Sequence, residues 1–153
     1  MIDLFEHRTG QIWGSSLPET REDLQKIADA GVKVVISLES GFGFPDFSDF
    51  DLEQHRISIP DFGIPSDDNV RKFVTIVREA LNQNKPVLIH CLAGCGRTGT
   101  MMALAEVYLY DSTDGRAAID RVRKSRPCAI ETDGQEESVL LHAENPLDSL
   151  RVM

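Results

Sequence analysis

Cys91 and Arg97 stand six positions apart in His90-Cys91-Leu92-Ala93-Gly94-Cys95-Gly96-Arg97-Thr98-Gly99, a stretch that combines a thiol, three glycines and one fixed positive charge. The apolar run Val87-Leu88-Ile89 precedes it and a long apolar segment follows, so it reads as a strand, a tight turn and a helix. Such a turn points several backbone N–H groups into one small space at the helix N-terminus. The glycines allow the crowded backbone angles this requires, and the amides of residues 92–97 are expected to converge as a nest for an anion. Arg97 adds a planar, always-charged fork that suits two oxygens of a tetrahedral dianion. Helix dipole, amides and guanidinium all favour thiolate over thiol at Cys91, and the Thr98 hydroxyl is placed to donate to that sulfur. A thiolate at the base of an anion cradle is equipped to attack phosphorus.

Expelling an alkoxide or phenolate from a phosphate ester also requires a general acid. Among 25 acidic residues, most serve as surface solubilisers, Asp67, Asp68, Glu136 and Glu137 included. Asp61 differs, because it lies in Pro60-Asp61-Phe62-Gly63-Ile64-Pro65 directly after the short strand expected over "RISI", 56–59. If that strand neighbours "KPVLIH", 85–90, in a parallel sheet, both following loops emerge at the edge where such sheets bind ligands. Phe62 and Ile64 are expected to desolvate Asp61 in part. Asp46, Asp49 and Asp51 are the alternative acids.

Competing chemistries fit less well. Gly94-Cys95-Gly96-Arg97-Thr98-Gly99 is literally G-x-G-x-x-G after a strand, the dinucleotide fingerprint. That reading requires an acidic residue at the end of the next strand, and Asp120, at about the right spacing, lies in a helical pattern instead. A Walker loop fails for want of Gly-Lys-Ser/Thr. A zinc site from His90, Cys91, Cys95 and Cys128 has poor spacing, and His90 would point to the opposite face of the strand from Cys91. A buried structural cysteine beside a structural arginine leaves the three glycines unexplained. The expectation is therefore no metal and no cofactor.

The rest of the chain alternates strand and helix patterns, with no repeat and no low-complexity segment. "QIWGS" and "VKVVISL" read as strands. "TREDLQKIADAG" opens on a Thr20-x-x-Asp23 capping pattern and stops at Gly31. An amphipathic helix runs from Ser66 to Asn84 with Val70, Phe73, Val74, Val77 and Leu81 on one stripe. "TGTMMALAEVYLY" is apolar on nearly every face, as a central helix should be. "DGRAAIDRVRKSRP" and "TDGQEESVLLHAE" give two more helices, the second with a Thr132-x-x-Gln135 capping box. "ESGFGFPDFSDFDLEQH" reads as a loop with a helical turn, and "NPLDSLRVM" as a tail. Strands separated by helices imply an α/β fold, a mostly parallel sheet flanked by helices.

The 153 residues are enough for a single domain over 1–153, with its core at about 10–145 and a tail at 146–153. A 41% hydrophobic and 27% charged composition is that of a globular chain. A net charge of −9 argues against nucleic acid or an anionic membrane as partner, because both repel an acidic surface. No apolar stretch reaches transmembrane length and no signal pattern opens the chain, so a cytoplasmic monomer is expected. Three cysteines are too sparse for a disulfide scaffold, and their odd number leaves at least one thiol free.

His90-Cys91-x5-Arg97-Thr98 resembles the active-site motif of the cysteine-dependent protein tyrosine phosphatases. "IPDFGIPS" and "RVRKSRPCAIETDGQE" resemble the general-acid loop and the later glutamine-bearing segment of small atypical dual-specificity phosphatases. The resemblance covers residues 10–142. It implies Cys91 as nucleophile, Arg97 as phosphate clamp, Thr98 as thiolate partner and Asp61 as acid then base. The phosphate would rest on Leu92, Ala93, Gly94, Cys95, Gly96 and Arg97, with His90 in support. Gln135 is a candidate to position the hydrolytic water as well as a helix cap. Glu39 faces the pocket or is an ordinary exposed carboxylate, and Arg126 braces the loop. Cys95 inside the cradle and Cys128 after Pro127 depart from the family pattern. Each is a candidate partner for an oxidised Cys91, against the plainer reading of a cradle-lining residue and a small buried hydrophobe.

The implied activity is dephosphorylation of phosphotyrosine, and of phosphoserine or phosphothreonine, in proteins through a phosphocysteine intermediate, with aryl phosphates as small substrates. Phosphoinositide or RNA 5′-phosphate hydrolysis shares the motif, but the uncharged positions 92–96 lack the basic residues that would favour those polyanions. A phosphopeptide-binding pseudophosphatase is disfavoured, because thiol, arginine and acid are all present.

Overall fold

The computed structural model describes residues 1–40, 46–148 and 150. Along the chain run β1 (Leu4–Arg8), β2 (Ile12–Ser15), α1 (Arg21–Asp29), β3 (Val34–Ser37), β4 (Glu53–Arg56), α2 (Asp67–Asn82), β5 (Val87–His90), α3 (Gly96–Leu109), α4 (Gly115–Ser125) and α5 (Asp133–Glu144). Among the described residues these form one five-stranded sheet in the order β1-β2-β5-β3-β4. β1 is antiparallel to β2, and the other three pairings are parallel. The α/β architecture expected from the alternating patterns is present.

Strand alternation separates two apolar layers. Ile12, Val34, Ile36, Val87 and Ile89 face a core completed by residues of α2, α3, α4 and α5. Val35 and Leu88 face the other side, where Leu24 and Ile27 of α1 cover them. Every residue of β3 and β5 is buried, which is why both segments read as unbroken apolar runs rather than alternating ones. α3 is buried from Gly96 to Tyr108, matching its apolar sequence. Thr20 and Thr132 make the expected capping boxes with Asp23 and Gln135, and Ser66 makes a third with Asn69.

Two expectations need correction. The paired strand is Glu53–Arg56, not 56–59; beyond it, Ile57 N donates to Ser37 O at 2.9 Å and Ile59 N to Leu38 O at 3.1 Å. As an edge strand with exposed or half-buried side chains, β4 shows no alternation, whereas the buried Ile57 and Ile59 after it mimic one. β4 also does not neighbour β5, because β3 lies between them. The sheet is parallel across all three, so the segments after β4 and β5 still leave at the same edge.

The edge strand β1 carries no clear pattern in the sequence. It is held by charge: buried Glu106 of α3 accepts from His7 Nε2 at 3.0 Å and from the Arg8 guanidinium, and Arg121 of α4 lies 3.3 Å away. Burial alone would push the Glu106 carboxyl up, but the bonds from His7 and Arg8 hold it below the usual range. At the other end of the chain, Leu147 packs on the core, and buried Leu150 gives its carbonyl to Arg78.

Candidate active site

Cys91 follows the last residue of β5, and α3 begins at Gly96, so the turn is as short as the glycines suggest. Gly94 has φ +76°, and a Cβ there would meet the Ser15 carbonyl carbon and oxygen at 2.7 Å. No other residue fits both constraints. Gly99 lies one turn into α3, where a Cβ would come within 2.6 Å of Ala129 Cβ and 2.8 Å of Ile130 N. It lets the Ala129–Ile130 backbone close over the start of the helix.

Arg126 sets the orientation of the loop from outside. Its Nε donates to Gly94 O at 3.2 Å and its second guanidinium nitrogen to Ala93 O at 2.9 Å. In a trans peptide the N–H points opposite to the C=O. Turning these two carbonyls toward Arg126 therefore turns the amides of Gly94 and Cys95 the other way, into the cradle. Asp3, 2.7 Å from the Arg126 guanidinium, and the Phe5 ring beneath it fix the brace to the N-terminal segment.

Cys91 is a free thiol, 3% exposed, and its Sγ accepts from Thr98 Oγ1 at 3.0 Å. The Arg97 guanidinium, also 3% exposed, donates to Ile59 O at 2.9 Å, lies 3.2 Å from Asp61 Oδ1 and pairs with Glu39. Arg97 thus collects the ends of three segments: Glu39 after β3, Asp61 after β4, and its own loop after β5. Ile59 is a partner that sequence reasoning missed, and a backbone carbonyl leaves no signal in residue type. Asp61 itself is half exposed. Phe62 and Ile64, expected to desolvate it, stand 60% and 51% exposed and turn outward instead.

The Asp61 segment is a tight turn closed by Gly63 N donating to Pro60 O at 2.8 Å. Phe62 sits at φ +62°, a region bulky residues rarely enter, and Ile130 beside the Cys91 loop sits at φ +66°. Gln135 is fully buried. Its Oε1 accepts from Glu131 N and Thr132 N, and its Nε2 donates to Gly63 O at 3.2 Å. The capping reading therefore accounts for the amide oxygen, and the amide nitrogen holds the Asp61 turn.

His90 is buried on the far side of Cys91, with Nδ1 3.2 Å from the Cys91 carbonyl, so the neutral ring carries its proton there. Burial, opposed by that hydrogen bond and reinforced by the charges of Arg56 and Arg97, pushes its pKa down to about 4.

Cys95 and Cys128 are joined to each other in a disulfide, Cα atoms 5.2 Å apart. Neither is therefore a free thiol available to Cys91, Cys128 is exposed rather than a small buried hydrophobe, and the bridge ties the loop to the α4–α5 connection. Nothing in their spacing announces the pair. The alternative acids lie elsewhere. Asp49 pairs with Arg21, Asp51 with Lys33, and Asp46 accepts from Ser48 N. The stretch 41–45, part of the segment read as a loop with a helical turn, lies outside the described residues. Among the described residues no group of three or more His, Cys, Asp or Glu side chains is placed to hold a metal ion. No helix among them is long and apolar enough to cross a membrane.

The sequence and the fold match known proteins. A family model described as "Polymorphic toxin system, DSP-PTPase phosphatase" matches residues 10–110. Protein tyrosine phosphatase domain-containing protein 1 of Mus musculus is 30% identical over 138 residues, 79% of this chain and 18% of that protein. Receptor-type tyrosine-protein phosphatase eta of Gallus gallus is 28% identical over 124 residues, 67% of this chain and 9% of that protein. The chain therefore spans less than a fifth of the length of these curated relatives. Among solved structures, Tk-PTP in its active form is 28% identical with a TM-score of 0.80, over 90% of this chain and 93% of that one. PTPMT1 in complex with PI(5)P, 20% identical, shares the fold at a TM-score of 0.82 over 92% and 94%.

Proposed function

Because the chain belongs to the DSP-PTPase phosphatase family, within the cysteine-dependent protein tyrosine phosphatases, we propose that it hydrolyses phosphate monoesters of proteins through a covalent phosphocysteine. The observation that carries this reading is the Thr98 hydroxyl donating to Cys91 Sγ at 3.0 Å beside the buried Arg97 guanidinium. A hydroxyl spent on sulfur at a helix N-terminus stabilises a thiolate, and a thiolate beneath a guanidinium and converging amides is poised for phosphorus.

The phosphate dianion settles on the amides of residues 92–97 and on Arg97. Its oxygens take guanidinium donors that otherwise face Asp61, leaving that carboxyl to the leaving group. Cys91 Sγ attacks phosphorus; the P–O bond to the leaving group breaks as Asp61 transfers its proton to that oxygen. Water then attacks the phosphocysteine, Asp61 takes a proton from it, and the S–P bond breaks to release inorganic phosphate and the thiolate. Glu39 and Ile59 O hold Arg97 in plane for both steps, and Gln135 keeps the turn carrying Asp61 in place.

A lipid phosphate is the second reading, raised by the shared fold of PTPMT1 in complex with PI(5)P. The uncharged residues 92–96 and the net charge of −9 favour a protein substrate over a multiply charged headgroup.

The test is Cys91→Ser. Turnover of an aryl phosphate is expected to vanish while tungstate still binds, because the amides and Arg97 build the cradle without the thiol. Near-wild-type turnover in that variant would overturn the mechanism.

A further inference from the structure

Met1 apart, the large hydrophobic side chains left exposed among the described residues are Phe62, Ile64, Leu92 and Leu141, at 60%, 51%, 53% and 51%. Scattered apolar side chains are ordinary on a surface. These four are not scattered. Phe62 and Ile64 flank Asp61 in sequence, Leu92 follows Cys91, and Leu141 lies on α5, the helix whose Gln135 holds Gly63.

Ile64 and Leu141 also line one cleft of about 480 Å³ between the Asp61 segment and α5. Pro65 and Asp67 belong to it on one side, Glu137 and Leu147 on the other. It does not contain Cys91; it begins three residues beyond Asp61. A site for a compact small molecule would enclose its ligand on most sides. Here the apolar groups stand half out of the surface, as they do where an extended chain is laid across them.

The carboxylates lining the cleft are Asp67, with His142 Nε2 3.9 Å away, and Glu137, and the segments that form its walls are acidic. Residues 60–70 include three acidic side chains and residues 131–148 include six, with no lysine or arginine in either segment. Arg71 and Lys72, next along, are committed to Asp68 and to the Arg56 carbonyl. Asp61 is paired with Arg97, Asp68 with Arg71, and Glu136 with Arg116 and Arg123. The remaining acids repel nucleic acid and anionic headgroups and attract a cationic side chain.

Resting on the reading that the Cys91 loop hydrolyses phosphate esters, we propose that this cleft is the docking surface for the polypeptide flanking the phosphorylated residue. The favoured substrate carries a bulky apolar side chain next to lysine or arginine. The apolar residue covers Ile64 and Leu141, and the cation lies between Asp67 and Glu137. Residues outside the chemistry thereby select which phosphoprotein reaches Cys91.

Two phosphotyrosine peptides test this, identical except that one has Leu and Arg on both flanks and the other Ser and Glu. The Leu/Arg peptide is expected to have a kcat/KM about tenfold higher. Leu141→Ser and Glu137→Lys, both on the exposed face of α5, should each erase most of that preference and leave p-nitrophenyl phosphate turnover unchanged. Fluorescence anisotropy of the same peptides with Cys91→Ser protein supplies a readout that needs no catalysis, and the same order of affinities is expected. If aryl phosphate is not turned over but the affinity order holds, the phosphatase reading fails and the docking surface stands. Equal kcat/KM and equal affinity for the two peptides overturn the docking surface, as does a preference that survives both substitutions. Stronger binding to phosphoinositide vesicles than to either peptide overturns it too.

Discussion

Gln135 Nε2 donates to the carbonyl of Gly63 at 3.2 Å, and through that bond the first turn of α5 holds the segment carrying Asp61. The two residues are 72 positions apart. The other end of the same amide caps its own helix, so one buried side chain links helix stability to the placement of Asp61.

Gln135→Leu removes both functions and leaves buried N–H groups without their acceptor. A loss of about 1–3 kcal/mol in stability is expected from the unpaired groups. The kinetic consequence should depend on the leaving group: slow turnover of alkyl phosphates, with activated aryl phosphates affected less. Urea denaturation and a leaving-group series measure the two effects separately. Equal slowing for all leaving groups would place Gln135 at the water-attack step instead.

Asp61→Asn keeps the shape of the turn and removes the proton. Rates on poor leaving groups should fall by about 10²–10⁴-fold, and the pH–rate profile should lose its basic limb. Substrates with acidic phenols need little protonation and should suffer less. An unchanged profile would reassign the acid, with Asp46, Asp49 and Asp51 next in line although none of them pairs with Arg97 among the described residues.

The Cys95–Cys128 bridge joins residues 33 positions apart. Cys128→Ser should lower stability by about 2–4 kcal/mol, and wild type in dithiothreitol should fall to the same level. Aryl phosphate turnover should largely survive, because Arg126 still holds the Ala93 and Gly94 carbonyls and Cys91 takes no part in the bridge. Urea curves with and without reductant, paired with initial rates, check both halves. Reduced wild type matching oxidised wild type in stability would show that the bridge contributes nothing.

His90 ties stability to acidity. In the unfolded chain its imidazole takes up a proton near pH 6.5, whereas burial keeps the native ring neutral down to about pH 4. Between these values the unfolded state binds more protons, so stability falls as pH drops through that window and is fully present above it. His142, whose pKa burial also lowers against the pull of Asp67, acts with the same sign. Thermal midpoints across pH 7 to 4 should decline, and His90→Asn should flatten part of the slope. An imidazole resonance of His90 titrating near pH 6.5 in the native protein would refute the assignment.

Features that depend on a few neighbouring residues were legible in the sequence. Cys91, Arg97 and Thr98 lie within eight positions of one strand–turn–helix, so backbone geometry alone brings the hydroxyl to the sulfur. The capping boxes at Thr20 and Thr132 span four residues each and form as read. The buried strands β3 and β5 and the apolar α3 follow directly from their composition, since only elements covered on all sides have that pattern. Tertiary structure decided the rest. It placed β4 three residues earlier than its apolar pattern implied, because an edge strand can be polar while the isoleucines beyond it fill the core. It recruited β1 through Glu106, a charge buried on a helix about a hundred positions away. It also set Asp61 against Arg97, paired Cys95 with Cys128, and gave Gln135 its second bond. Each of these depends on chains meeting after long loops have closed, and residue type records what a side chain is able to bond but not which partner the closed loops bring to it.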